Sequence, residues 1–427
     1  MTALRIGICL LIAFCVLALG TVETWSVSVM EIGAAVLLLW WSMITWRNPR
    51  AKIYWSPLQA SLFGLLVIGV LQLVFHGSAY PYLTRTMLLK VAAYLIVLFL
   101  ATQVFRERKD LYRLAWFLMS FGFAVSLLAI IQHFTSASEI YWMSDLKING
   151  DPYGPYVNRN HFAGFVELTA PVGLALLAFS GVKRDLFPLA TLLSVVPISA
   201  IILSASRGGI IGFGLEIVVL VLLARSRKAW KGQRATLAVA VALVALGAVA
   251  WVGTNRALER FSGTNLHEAT LGRRASMSRG SAHIFRDHLI KGCGLGTLVA
   301  VFPGYETAYD GKVIDHVHND YMEGLAETGI LGGICGLIFL STLYREGRNN
   351  FTAEQGHFSR GLHAGAIMAV SGLLLHSFVD FNLQIPANAL LFLLQSYLVT
   401  SPPLSSDAAA PRGRRRAELN PEAEAVP

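Results

Sequence analysis

Asp315-His316-Val317-His318-Asn319-Asp320-Tyr321-Met322-Glu323-Gly324-Leu325-Ala326-Glu327-Thr328-Gly329-Ile330-Leu331-Gly332-Gly333 runs from a dense polar cluster directly into an apolar segment. Two histidines and several carboxylates abut what reads as a membrane span. Ionisable groups so close to a bilayer are costly and mark functional positions. The composition agrees about the solvent. The chain has 427 residues, 55% hydrophobic and only 14% charged, against about 25% charged in soluble proteins. An all-α integral membrane protein is expected. The net charge of +9 then reports topology first, and no nucleic-acid partner is expected.

Outward from that stretch, apolar runs long enough for ~30 Å of hydrocarbon lie near 4–22, 27–46, 58–75, 85–104, 111–133, 161–180, 186–204, 208–224, 235–252, 328–344, 361–380 and 386–400. These are twelve expected transmembrane helices within one membrane domain, 1–400. Taking loops alternately, one side receives Arg5, Arg47 to Lys52, Arg106 to Arg113, Lys183 and Arg184, Arg225 to Arg234, Arg345 to Arg360, and the tail arginines. The opposite short loops hold only Arg85, Lys147, Arg159 and Arg207. The positive-inside rule therefore puts both termini in the cytoplasm. It puts the His316–His318 cluster outside, in a long, partly helical periplasmic loop, 253–327. Long loops are exempt from that rule, and this one carries eight basic residues, from Arg256 to Lys312. Either they pair with the loop's own acids, or they form an electropositive basin for an anion. The tail 401–427, rich in Pro, Ala and charge, reads as disordered and cytoplasmic. Four cysteines show no disulfide framework and no metal spacing.

Within the opening stretch, Asp320 and Glu323 have capping-box spacing for a short helix. Gly329 would end that helix before the span. His318 then precedes a helix N-terminus, where free N–H groups favour a neutral imidazole, the form that accepts a proton. A structural histidine is the plainer reading. His316 and His318 with Asp315 or Asp320 also leave a metal site geometrically open, since alternate residues of an extended strand point the same way.

Three other outward segments carry candidates. Ser204-Ala205-Ser206-Arg207-Gly208-Gly209 sets an arginine in a glycine-rich turn between two spans. Arg207 is either a snorkelling interface residue or a phosphate ligand approached through the glycines. The stretch Gly272 to His288 reads as a helix with one apolar side, on which Arg274 and Arg279 face different ways. The Gly292-Cys293-Gly294-Leu295-Gly296 run that follows lacks the context of a dinucleotide fingerprint and reads as a tight loop returning to the membrane. Asn158, Arg159, Asn160 and His161 form either a turn with Asn160 as helix cap or a ligand contact.

In this order, the motifs resemble the O-antigen ligase and polymerase superfamily. The residues that carry the likeness are His318-Asn319 followed by Gly329-x-x-Gly332, an outward Ser-Arg-Gly-Gly, Gly-Arg before Phe-Arg-Asp-His, Gly-x-Gly-x-Gly, and Asn-Arg-Asn-His-Phe. It covers residues 150–345. The resemblance implies a glycosyltransferase at the periplasmic face of the bacterial inner membrane. Such an enzyme takes a glycan from an undecaprenyl-pyrophosphate carrier held among membrane lipids. The acceptor hydroxyl belongs to another lipid-linked repeat unit in a polymerase, to lipid A–core in a ligase, or to protein in an O-oligosaccharyltransferase. Polymerisation of O-antigen or exopolysaccharide repeat units is the expectation. The resemblance makes His318 the catalytic base and Arg207 and Arg274 the essential arginines, with inversion at the anomeric carbon and neither metal nor other cofactor. Arg279, His316, Asn319, Asp320, Asn158, Arg159 and Asn160 are the expected substrate contacts. The family arginine is often followed four residues later by Leu or Trp, whereas Ser278 follows Arg274 here and Arg279 comes one residue later. The choice between these two arginines therefore stays open. Relatives include solute transporters, bicarbonate among their cargoes. A transporter should carry polar or broken spans at mid-membrane depth; apart from Lys90, Glu167, Glu216 and a His376–Asp380 pair the span interiors are clean, which favours surface chemistry over a conduit.

Overall fold

The computed structural model describes residues 1–48, 50–136, 139–143, 151–226, 264–306, 313–353 and 356–403. The expected span at 235–252, Lys147, and the tail beyond residue 403 lie outside them. The described chain is helical and has no named strand. In order, the helices are α1 (Thr2–Leu17), α2 (Thr24–Trp46), α3 (Pro57–Val74), α4 (Pro81–Val104), α5 (Arg108–Thr135), α6 (Arg159–Ala178), α7 (Phe187–Leu203), α8 (Arg207–Ser226), α9 (Thr264–Asp287), α10 (Leu298–Val301), α11 (Asp320–Ala353), α12 (His357–His376) and α13 (Pro386–Thr400). Among the described residues, nine helices are long and apolar enough to cross a membrane. The chain is a multi-pass membrane protein.

Of the twelve expected spans, one lies outside the described residues and two, at the ends of the described chain, are short helices. Helices α1 and α13, 16 and 15 residues long, are apolar but fall short of the ~20 residues that cross hydrocarbon unaided. Helix α13 is walled by protein instead: Pro386 to Val399 are all buried. It packs against α6, whose residues from His161 to Ala178 are likewise buried. Helix α12 lies against both α6 and α8. Pro171 breaks the hydrogen-bond ladder of α6, and in that turn Gln395 of α13 donates to the Leu168 carbonyl at 2.5 Å. A neighbouring helix thus serves backbone acceptors that lipid cannot.

Local sequence sets the helix starts. Ser56 caps α3 through a box completed by Gln59, with Pro57 at the first turn. Asn158 caps α6 by accepting from the Asn160 amide at 2.9 Å; the cap is therefore Asn158, not Asn160. Ser206 Oγ accepts from the Gly209 amide at 3.2 Å at the head of α8.

The element that positions the site is the break in α11. Gly329 adopts φ 63°, ψ −159°, which separates a short outer helix from the span, as its sequence predicts. The Gly292–Gly296 loop crosses the chain at this break. Cys293 N–H donates to the Ala326 carbonyl at 2.9 Å, Gly294 N–H to that of Glu327 at 3.1 Å, and Ile330 N–H to that of Leu289 at 2.8 Å. Gly292 has φ 70°, and a Cβ there would overlap the Glu327 carbonyl. Only glycine tolerates both that angle and that approach. The crossing fixes the outer half of α11 against the end of α9, and so holds the histidine loop beside the arginine helix.

Candidate active site

The loop before α11 is held by its own polar side chains. Asn319 Oδ1 accepts from the Tyr321 and Met322 amides at 3.1 and 3.0 Å, which makes Asn319 the cap. The expected box on Asp320 does not form. Glu323 reaches further back instead, accepting from the Val317 amide at 3.1 Å and meeting His316 Nδ1 at 2.6 Å. A residue starting a helix cannot also be its cap, and Asp320 is already in the first turn. His318 sits between these anchors with φ 52°, a left-handed conformation uncommon outside glycine.

The head of α11 is then tied to the turn that follows α12. Asn319 Nδ2 donates to the Phe378 carbonyl at 3.1 Å, and the Asp320 amide to that of Ser377 at 3.0 Å. Asp320 is buried and accepts from the Leu383 amide at 3.1 Å. The side chains of Asn319 and Asp320, expected to meet substrate, hold these two segments together through Asn319 Nδ2 and Asp320 Oδ2. What those ties bring to His318 is Asp380.

Asp380 is the hub of the site, with its side chain 1% exposed. Its Oδ1 lies 3.2 Å from His318 Nδ1, 3.7 Å from His161 Nε2, and accepts from the Phe381 amide at 2.9 Å. Its Oδ2 accepts from Asn160 Nδ2 at 2.5 Å and lies 3.9 Å from an Arg274 guanidinium nitrogen. Burial pushes the Asp380 carboxyl up, but His161 and His318 beside it hold it well below the usual carboxylate range. An ionised Asp380 makes Nδ1 the protonated nitrogen of His318 and leaves Nε2 as the acceptor. The Phe381 ring backs the arrangement: His316 stacks on it at 4.6 Å, and His161 and His318 meet it edge-on at 4.6 and 4.8 Å. Burial lowers the His316 pKa, but the Glu323 carboxylate outweighs it and the net shift is upward.

These groups open on a cleft of about 710 Å³. His316 and His318 form one wall, Asn158, Arg159 and Asn160 another, and Gly272 to Met277 of α9 the third. Three of the four outward segments singled out in the sequence therefore converge. Arg159 is oriented by Asp151, at 2.7 Å. Arg274 lines the cleft and Arg279 does not; Arg279 is exposed. Five residues turn ~140° round a helix, so one helix cannot aim both inward. Arg207 does not line the cleft either. It begins α8, one residue before Gly208, where a Cβ would press on the His376 ring and Val379. The two loop histidines turn to different carboxylates. Among the described residues, no group of three or more His, Cys, Asp or Glu is placed to hold a metal ion.

Asp380 and Phe381 are what the sequence reading missed. Asp380 follows His376 at i+4 and was paired with it inside an expected span at 361–380. In the structure α12 ends at His376, which lets Asp380 sit buried behind His318. His376 pairs inward with Glu167, Nδ1 to Oε2 2.7 Å, both fully buried. Glu167 lies against Gly212 of α8, and Glu216 against Gly372 of α12. The one usable signal was the cluster Asp380-Phe381-Asn382 at the outward end of a span.

Residues 192–337 match the family model described as O-Antigen ligase. This segment, about a third of the chain, is similar to an O-antigen ligase domain. The match supports a likeness of this part of the chain to the O-antigen ligase/polymerase superfamily and, in general, to glycan transfer of that type. The match contains Arg207, Arg274, Arg279, His316 and His318; Asn158 to His161 and Asp380 lie outside it. No curated protein matches the chain.

Proposed function

We propose that this protein transfers a glycan from an undecaprenyl-pyrophosphate carrier to an acceptor hydroxyl, at the periplasmic face of the bacterial inner membrane. The carrying observation is the single cleft in which His318, backed by Asp380, faces Arg274 and Arg159. The acceptor O–H gives its proton to His318 Nε2 as its oxygen bonds to the anomeric carbon. Asp380 keeps Nδ1 protonated and steadies the imidazolium that forms. Such a positioned base contributes about 10²–10⁴-fold. The anomeric carbon–oxygen bond breaks on the opposite face, which inverts the centre, and its electron pair leaves on the pyrophosphate. Arg274, with Arg159 beside it, stabilises the charge that develops there, and no metal is required for this. Arg207, at the head of α8 and outside the lining of the cleft, is the remaining arginine that the resemblance assigns to the pyrophosphate. Asn158, Asn160 and His316 contact the glycan.

The favoured acceptor is another lipid-linked repeat unit, which makes the reaction polymerisation of O-antigen or exopolysaccharide. The description of the matched family supports a second reading, ligation to lipid A–core. Glycan length in a deletion strain separates the two. Single repeat units attached to the final acceptor support a polymerase, and long polymer retained on the carrier lipid supports a ligase. Complementation with wild type should reverse either phenotype and His318→Ala should not. A glycan profile unchanged by deletion would defeat both.

A further inference from the structure

At the opposite end of the bundle, α3 and α11 part to leave a second cavity of about 620 Å³. Its floor is Ala60 and Ile338; its rim is Pro57, Tyr344, Arg345 and Arg348. Along one side of α11 the chemistry changes in order. Ile338 comes first, then Ser341 and Thr342, then Arg345, then Arg348 and Asn349. Over ten residues, ~15 Å of helix, the wall passes from hydrocarbon through hydroxyls to guanidinium. That is the order in which a phospholipid presents acyl chain, glycerol ester and phosphate.

The rim is set for an anion. Arg345, itself 68% exposed, has only its sequence neighbour Glu346, at 3.1 Å, and pairs at the surface hold weakly. Arg348 makes no ion pair among the described residues. The N-terminus of α3, at Pro57, opens on the same rim and adds partial positive charge. Nearby aromatics mark the level of a membrane interface: Trp55 is 75% exposed, Tyr344 72%, and Trp46, at the end of α2, 91%. An apolar floor beneath a basic rim, at interface depth and between helices, fits an anionic lipid headgroup.

We propose that the α3–α11 cavity is a binding site for one anionic phospholipid of the phosphatidylglycerol type, held by Arg345 and Arg348. It is distant from the His318 cleft and independent of the reaction proposed there.

Native mass spectrometry of the purified full-length protein tests this, with phosphatidylglycerol, phosphatidylethanolamine or inorganic phosphate added in separate arms. One phosphatidylglycerol should be retained in preference to phosphatidylethanolamine, and phosphate alone should not displace it. Arg345→Gln with Arg348→Gln should weaken retention on the order of tenfold. Ala60→Trp fills the floor while sparing both arginines, and should weaken it as well. Arg279→Gln, at the far end of the protein, serves as the charge control and should leave retention intact. Equal retention of the two lipids, displacement by phosphate alone, or undiminished retention by the arginine double variant would each overturn the proposal.

Discussion

Two histidine–carboxylate pairs, linked through the chain from His376 to Asp380, differ in what surrounds them. His318–Asp380 sits at a cleft, with the imidazole 26% exposed and its carboxylate buried behind it. His376–Glu167 is sealed among α6, α8 and α12, both side chains fully buried. The first pair has a ring nitrogen that a substrate can reach. The second has none, and its polar atoms can only hold helices in register. The same chemistry thus serves a reaction in one place and architecture in the other, and solvent access decides which. Ionisable residues inside a membrane bundle are functional candidates by default; here the deeper pair is better read as the support for the outer one. His376 ends α12, and the turn that carries Asp380 begins at that point.

Substitutions can break this contrast in both directions. Asp380→Asn is expected to have the largest catalytic effect apart from His318 itself, lowering the transfer rate at least about 10²-fold in protein that still folds in detergent. Glu167→Ala or His376→Ala should do the reverse. Leaving one partner of a buried pair unmatched costs roughly 3–5 kcal/mol, visible as early thermal unfolding, and Glu167→Leu combined with His376→Leu should recover part of the loss. A His376→Ala variant that folds normally and cannot transfer glycan would invert the assignment of the two pairs.

The arginines sharpen the comparison at the cleft. Arg274→Ala should cost about 10²–10³-fold in rate, with Arg279→Ala within a few-fold of wild type in the same steady-state assay. Equal losses at both positions would mean that α9 turns in the working complex.

The smallest effect concerns His316. Glu323 raises its pKa above the ordinary value. A raised folded-state pKa contributes stability that is complete below the unfolded value and disappears as pH rises through the folded one. Melting temperature should therefore fall as pH climbs through that window, and Glu323→Gln should flatten the dependence.

Much of this was legible in the sequence. The spans follow from apolar run length, and the break at Gly329 from a glycine placed between a polar helix and an apolar one. His318, Arg274 and the Asn158–Asn160 segment were each visible as polar density on the outward side. What sequence could not supply were pairings between distant residues. His318 and Asp380 are 62 positions apart, and Glu167 and His376 are 209 apart, so adjacency suggested a false His376–Asp380 pair instead. The cap was misplaced by one residue because Asn319 and Asp320 are both good caps, and tertiary ties to Ser377 and Leu383 decided between them. Helix α13 reads as a span because hydropathy does not distinguish burial in lipid from burial in protein.

The most direct test is the rate of glycan transfer by purified His318→Ala, given an undecaprenyl-pyrophosphate oligosaccharide and its acceptor, beside a melting curve of the same sample. Loss of transfer, with a melting temperature equal to wild type, is the expected result. Transfer at the wild-type rate by a folded His318→Ala protein would contradict the role assigned to the His318–Asp380 pair.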